Sequence, residues 1–343
     1  MVRLPGGEVW IGSVRGEGAS DEWPRYRTRL AAFCLDETEV TAGAYAECVR
    51  AGGCSPADAR RVTCTASSGH ARDLPINCVD AMQAEAFCKA RGGRLPTEAE
   101  WEFAASGGDA RLYSWGDESP DGRACWKKGG ACPVKSFPAG AFGLFDMTGN
   151  VWEWTSTGYG DYPWPPVESP NRVYRGGSWS RRFEKWMRIR LRNRVDPGAR
   201  GSHLGFRCAK SIDGEPCPFG AAPDGACLAG VLEADCREGK TWNGVRCAPA
   251  GETGCGAEHE LLPGHGCQWA TKIEQSAPGP LDLGAVKRIR SPEFDHDCET
   301  YQPRRPHANR FEGGTHEARN AVGRAAGCKN RDVGVGWNSA CCP

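Results

Sequence analysis

Residues Phe142–Trp154 read FGLFDMTGNVWEW. Two other segments raise the weight of this run: RLPTEAEWEFAA at Arg94–Ala105, and RVYRGGSW continuing to GFR within Arg172–Arg207. PGGEVWIGS at 5–13 and FCLDETEVT at 33–41 precede them. The third segment also lacks something: no cysteine lies between Cys132 and Cys208, although the chain carries 19.

Composition sets the outer limits. With 343 residues, 39% hydrophobic and 25% charged, the chain has room for one large domain and a smaller one. Lys plus Arg (43) balance Asp plus Glu (43), so no net field draws the chain toward nucleic acid or an anionic membrane. No apolar run approaches the roughly 18–20 residues of a membrane span. The cysteines form no CxxC pair, which removes the zinc-ribbon and thioredoxin readings. Scattered among 46 Gly and 24 Pro, they fit disulfides and a secreted, periplasmic or cell-envelope location. The opening MVRLPGGEVWIGS has no basic-then-apolar leader.

Capping signals predict three helices. Asp80 with Gln83 opens AMQAEAFCKA, Thr97 with Glu100 opens EAEWEFAA, and Thr41 opens AGAYAECVRA before Gly52-Gly53. VWIGS, RVYRGGSW and RIRLR alternate as strands do. The organisation expected is a domain over 1–210, a small disulfide-rich module over 211–270 and a cysteine-containing module over 271–343. Ten cysteines lie beyond residue 210, where aliphatic residues are few and cross-links would stand in for a core.

The five motifs, in this order, resemble the formylglycine-generating enzyme (sulfatase-modifying factor) family. The resemblance covers about Gly6 to Cys208 and implies an α+β, C-type-lectin-like fold with much irregular structure. It also implies a disulfide between Cys88 and Cys208. By position it makes Asp146, Gly149, Val151 and Glu153 the ligands of a structural calcium ion, two through carboxylates and two through carbonyls, a hard-oxygen set of the kind calcium takes. The family's other calcium loop falls near Ala124, where this chain has Cys125 and Cys132 instead. Those two flank a short basic loop and are expected to pair. Cys48, Cys54, Cys64 and Cys78 allow three connectivities, and Cys34 is left over.

In the active members of the family, RGGS is followed by two residues, Cys, four residues and Cys, and the two thiolates hold copper(I), a soft ion. Here Arg181 and Trp186 stand at those positions, so copper chemistry is not expected. An iron site would need histidines, and only His70 and His203 lie in the family region. Between Arg172 and Arg200 ten basic residues face two acids, Glu184 and Asp196. Arg188, Arg190 and Arg194 match the family pattern and could pair with Glu100, Glu102 or Glu153. Arg181, Arg182 and Lys185 do not match it. The expected ligand face is Ser178, Trp179, Arg181, Arg182, Lys185, Trp186 and Arg194, suited to an anionic, glycan or protein ligand. The alternative is an oxidoreductase of the same superfamily with another metal site.

Overall fold

The three helices start at the caps the sequence supplies. In the computed structural model α1 spans Ala42–Arg50, and Thr41 Oγ1 accepts from Ala44 N at 3.1 Å. Helix α2 (Ala81–Ala90) opens on a reciprocal Asp80/Gln83 capping box, and α3 (Glu98–Ser106) on one from Thr97 and Glu100. Gly107 ends α3 in the left-handed region at φ 70°. Every residue of α3 is buried, including Glu98, Glu100 and Glu102. Three carboxylates inside a core must be paired, and this requirement shapes the site described below.

The structure describes residues 1–269 except 68–71, 164–168, 229, 245, 250, 253, 256–258 and 263–265. The strands are β1 (Val2–Leu4), β2 (Gly7–Ile11), β3 (Tyr26–Leu30), β4 (Phe33–Leu35), β5 (Trp152–Gly158), β6 (Arg172–Arg175), β7 (Asn193–Val195), β8 (Leu204–Gly205) and β9 (Ala209–Ser211). Beyond residue 212 come β10 (Glu233–Ala234), β11 (Lys240–Trp242), β12 (Cys247–Pro249), β13 (His259–Leu262) and β14 (Gly266–Trp269). They form a four-stranded sheet ordered β7-β6-β5-β8, three-stranded sheets β1-β4-β9 and β10-β3-β2, and two hairpins. Among the described residues only the β5–β8 pairing is parallel.

One apolar cluster packs α3 against β2, β3 and β4 through Trp101, Phe103, Leu30 and Phe33. A second packs α1 and α2 against β5 through Tyr45, Phe87, Trp152, Trp154 and Phe206. The segment after residue 212 joins the domain: β10 pairs with β3, and Arg25 and Asp235 meet at 2.8 Å. It also carries the disulfides Cys217–Cys227 and Cys236–Cys247.

Cys88–Cys208 and Cys125–Cys132 are bonded as expected. The open connectivity resolves to Cys48–Cys54 and Cys64–Cys78. Cys34 is not left over, for it too is disulfide-bonded. The RIRLR strand is also corrected. A 3-10 turn covers Glu184–Met187, and the strand β7 begins only at Asn193. Its alternating arginines reflect a succession of separate buried partners, not a pleated face. The expected 271–343 module, Cys298, Cys328, Cys341, Cys342, His70, His265, His296, His307 and His316 lie outside the described residues.

Candidate functional site

Strand β6 ends at Arg175 in two glycines. Gly177 has φ 78°, and a Cβ there would lie 2.9 Å from the Trp186 carbonyl, so only glycine lets the chain turn back under the following loop. Ser178 is buried, with its Oγ 3.1 Å from Ser180 Oγ. Trp179 is anchored twice: its backbone N–H donates to Asn150 O at 2.8 Å and its indole N–H to Ser202 O at 3.2 Å.

Two further bonds tie this loop to the one closed by Cys125–Cys132. Lys127 N donates to Arg181 O at 3.1 Å and Lys128 N to Trp179 O at 2.8 Å. The Arg181 guanidinium carbon lies 5.5 Å from the Trp152 ring and 5.5 Å from the Trp186 ring. Burial, and then the Arg181 charge, hold the His203 imidazole below its ordinary pKa.

The structure divides the expected ligand face into three places. Trp179, Ser180 and Arg182 line a groove of about 740 Å3 with Lys127, Lys128 and Gly129. Lys185 and Trp186 border a separate hollow of about 590 Å3 with Arg111, Arg188 and Arg190. Arg194 stands apart, 4.2 Å over the Tyr159 ring. Sequence reasoning missed Lys127 and Lys128 as neighbours of Trp179. The available signal was the basic loop between two pairing cysteines.

The remaining arginines are structural. Arg192 makes a two-pronged bond to Glu98 at 2.7 and 3.0 Å, and Arg188 does the same with Glu22 at 3.0 and 2.6 Å. Arg175, fully buried, pairs with Glu102 and lies 3.4 Å from Glu98, while Arg94 holds Glu100 at 2.6 Å. Arg190 comes within 4.0 Å of Glu102 and donates to the carbonyls of Ala110 and Asp109. Of the acids expected for Arg188, Arg190 and Arg194, only Glu102 serves. Burial pushes the Glu98 carboxyl up, but Arg192 and Arg175 outweigh it and hold the group below its ordinary value. Glu102 goes the other way, with burial prevailing over Arg175 and Arg190.

The Asp146–Glu153 loop has Asp146, Gly149 and Asn150 at φ 59°, 99° and 54°. A Cβ on Gly149 would meet Cys125 O at 2.9 Å. Glu153 receives Arg207 at 2.8 Å on each oxygen and Trp101 Nε1 at 2.8 Å. Asp146 Oδ2 accepts from Lys135 N. Glu39, which the sequence did not implicate, accepts from Val151 N at 3.0 Å and from the Asn150 amide. Burial, then the charges of Asp146 and Glu153, raise Glu39 well above an ordinary carboxylate, and burial raises Asp146. Three carboxylates thus gather around one buried guanidinium, Arg207. Among the described residues no group of three or more His, Cys, Asp or Glu side chains is arranged to hold a metal ion.

Residues 1–212 match the sulfatase-modifying factor enzyme 1-like domain. The chain belongs to this family. The formylglycine-generating enzyme of Streptomyces coelicolor is 33% identical over 284 residues, covering 62% of this chain and 90% of that protein. The inactive C-alpha-formylglycine-generating enzyme 2 of Mus musculus is 32% identical over 268 residues, covering 62% and 85%. The serine/threonine-protein kinase pkn1 of Chlamydia pneumoniae is 36% identical over 239 residues, but the chain spans only 38% of its length. Among solved structures, PvdO from Pseudomonas aeruginosa superposes with a TM-score of 0.53 at 26% identity, over 61% of this chain and 93% of that one. The α+β, C-type-lectin-like fold implied by the sequence is the fold of this family. The disulfides of this chain are compatible with an extracellular or envelope location. Among the described residues no helix is long and apolar enough to cross a membrane.

Proposed function

We propose that this member of the family is an exported binding module without copper oxidase chemistry, whose ligand face is the loop surface after RGGSW. The observation that carries the reading is the placement of Arg181. It stands where the active pattern has its first cysteine, and its guanidinium lies against Trp152 and against Trp186, which occupies the second position. A guanidinium donates hydrogen bonds and cannot give an electron pair to a soft metal. Every cysteine whose side chain is described is disulfide-bonded, and a cystine sulfur is not a thiolate ligand. Inactive members exist in the family by name, as the Mus musculus relative illustrates.

In this reading Asp146, Glu153 and the carbonyls of Gly149 and Val151 hold a structural calcium ion beside Glu39, and the ion's charge offsets the carboxylate excess. Residues 211–270 and 271–343 form modules for interaction or anchoring outside the cell. The test is metal analysis of the purified protein together with oxygen uptake in the presence of a cysteine-containing sulfatase peptide. Calcium without oxygen consumption is the expected result. Stoichiometric copper or iron with turnover would instead establish the oxidoreductase alternative.

A further inference from the structure

We infer that the groove between the Cys125–Cys132 loop and the 179–182 loop binds sugars carrying sulfate or phosphate esters. The inference rests on the binding-module reading and gives it a ligand class. Among the described residues no acid lines the groove, while Lys127, Lys128 and Arg182 do. Neither Lys128 nor Arg182 has an ion pair among the described residues, while Lys127 meets Asp121 at 3.6 Å, with side chains 46% and 71% exposed, and stacks on the Trp126 ring at 3.7 Å. The charges of Lys128 and Arg182 are therefore available to a ligand, with Lys127 beside them. Arg forks and Lys ammonium groups suit tetrahedral oxyanions with several acceptor oxygens.

The groove is also preorganised. The Lys127–Arg181 and Lys128–Trp179 backbone bonds and the Cys125–Cys132 bridge fix both walls before any ligand arrives, which lowers the ordering cost of binding. Trp179 is held by its Ser202 bond and contributes an aromatic surface to the groove wall, with Ser180 beside it. An aromatic wall, a hydroxyl and three cations suit a ring with an apolar face, hydroxyls and anionic substituents. A string of carboxylates on a peptide would use the cations and leave the indole idle. A polynucleotide draws its affinity from many neutralised phosphates, and this chain has a net charge of +0.

The experiment is calorimetric titration of the full chain with sulfated dextran oligosaccharides, phosphorylated mannan oligosaccharides, unmodified dextran, polyglutamate and single-stranded DNA. One or both esterified sugars should bind, weakening with salt because the cations are exposed, and the two arms decide between sulfate and phosphate. Lys128→Ala and Arg182→Ala should each weaken binding about tenfold, as loss of a charged hydrogen bond does. Trp179→Phe, which keeps an aromatic face, should weaken it less than Trp179→Ala. Failure of both esterified sugars, equal or tighter binding of polyglutamate or DNA, or indifference to Lys128→Ala and Arg182→Ala would each overturn the proposal. Polyglutamate binding sensitive to Arg181→Ala but not Arg182→Ala would remove the groove and leave the binding-module reading standing. Metal-dependent oxygen turnover would remove that reading instead.

Discussion

The arginines of the RGGSW segment fall into two populations. Arg175, Arg188 and Arg192, joined by Arg207, point inward, and each meets a carboxylate. Arg182 and Lys185, a few residues away in the same segment, are exposed and meet none among the described residues, while Arg181 lies between the two sets against Trp152 and Trp186. The inward set completes the framework: α3 buries Glu98 and Glu102, and Glu153 is buried beside Trp101, so each cation removes the cost of an isolated charge. The outward set repays no such cost. In the proposed reading these exposed cations are left for a ligand. The same residue type thus reads as framework or as ligand face, depending only on what the neighbouring elements bury.

Substitution should separate the two populations most sharply. Arg207→Met would strip from Glu153 its buried ion-pair partner, and from Glu39 and Asp146 a nearby positive charge. Breaking a buried pair by removing one partner costs about 3–5 kcal/mol, so denaturant unfolding should show a loss of that size or no folded protein. Arg182→Ala, at an exposed site with no ion pair among the described residues, should change stability by less than about 0.5 kcal/mol. Comparable losses in the two variants would end the distinction between framework and face.

Calcium tests whether the inward set is complete. Burial first, and then the neighbouring carboxylates, raise Glu39 and Asp146, and in the proposed reading a cation would offset those negative charges. An ion bound only by the native state stabilises it by mass action, by about 2.7 kcal/mol at a hundredfold excess over Kd. Chelation should therefore lower the melting temperature and calcium should restore it. An identical melting temperature with and without chelator would mean that Arg207 and the backbone donors suffice alone.

How far the sequence disclosed these features depended on the range of the signal. Caps and glycine stops are local, so α1, α2 and α3 begin where Thr41, Asp80 and Thr97 predict. The Phe142–Trp154 run disclosed the fold through its resemblance to the family that residues 1–212 match. Alternation misled at RIRLR, because a 3-10 turn and a tight chain path can also send successive arginines inward. Partners far along the chain left no local trace. Glu22 reaches Arg188 across 166 residues, and Glu39 reaches Val151 across 112. Lys127 and Lys128 join Trp179 only because two loops align edge to edge.

The smallest expected effect is a local probe of Arg181, which lies between the two sets. His203 is held low first by burial and then by the charge of Arg181. It is a group with a depressed folded pKa, so it stays neutral at pH 7. Its contribution to stability is present above the unfolded value, about 6.5, and is lost as pH falls below it. Arg181→Met keeps much of the apolar stem against Trp152 and Trp186 but deletes the charge. The imidazole resonances, followed by NMR through a pH titration, should then move to a higher midpoint while remaining below 6.5, because burial persists. An unchanged midpoint would place the guanidinium in solvent, away from the two tryptophans. Arg181 would then be one more solvated cation and would not fill the place of a catalytic thiolate.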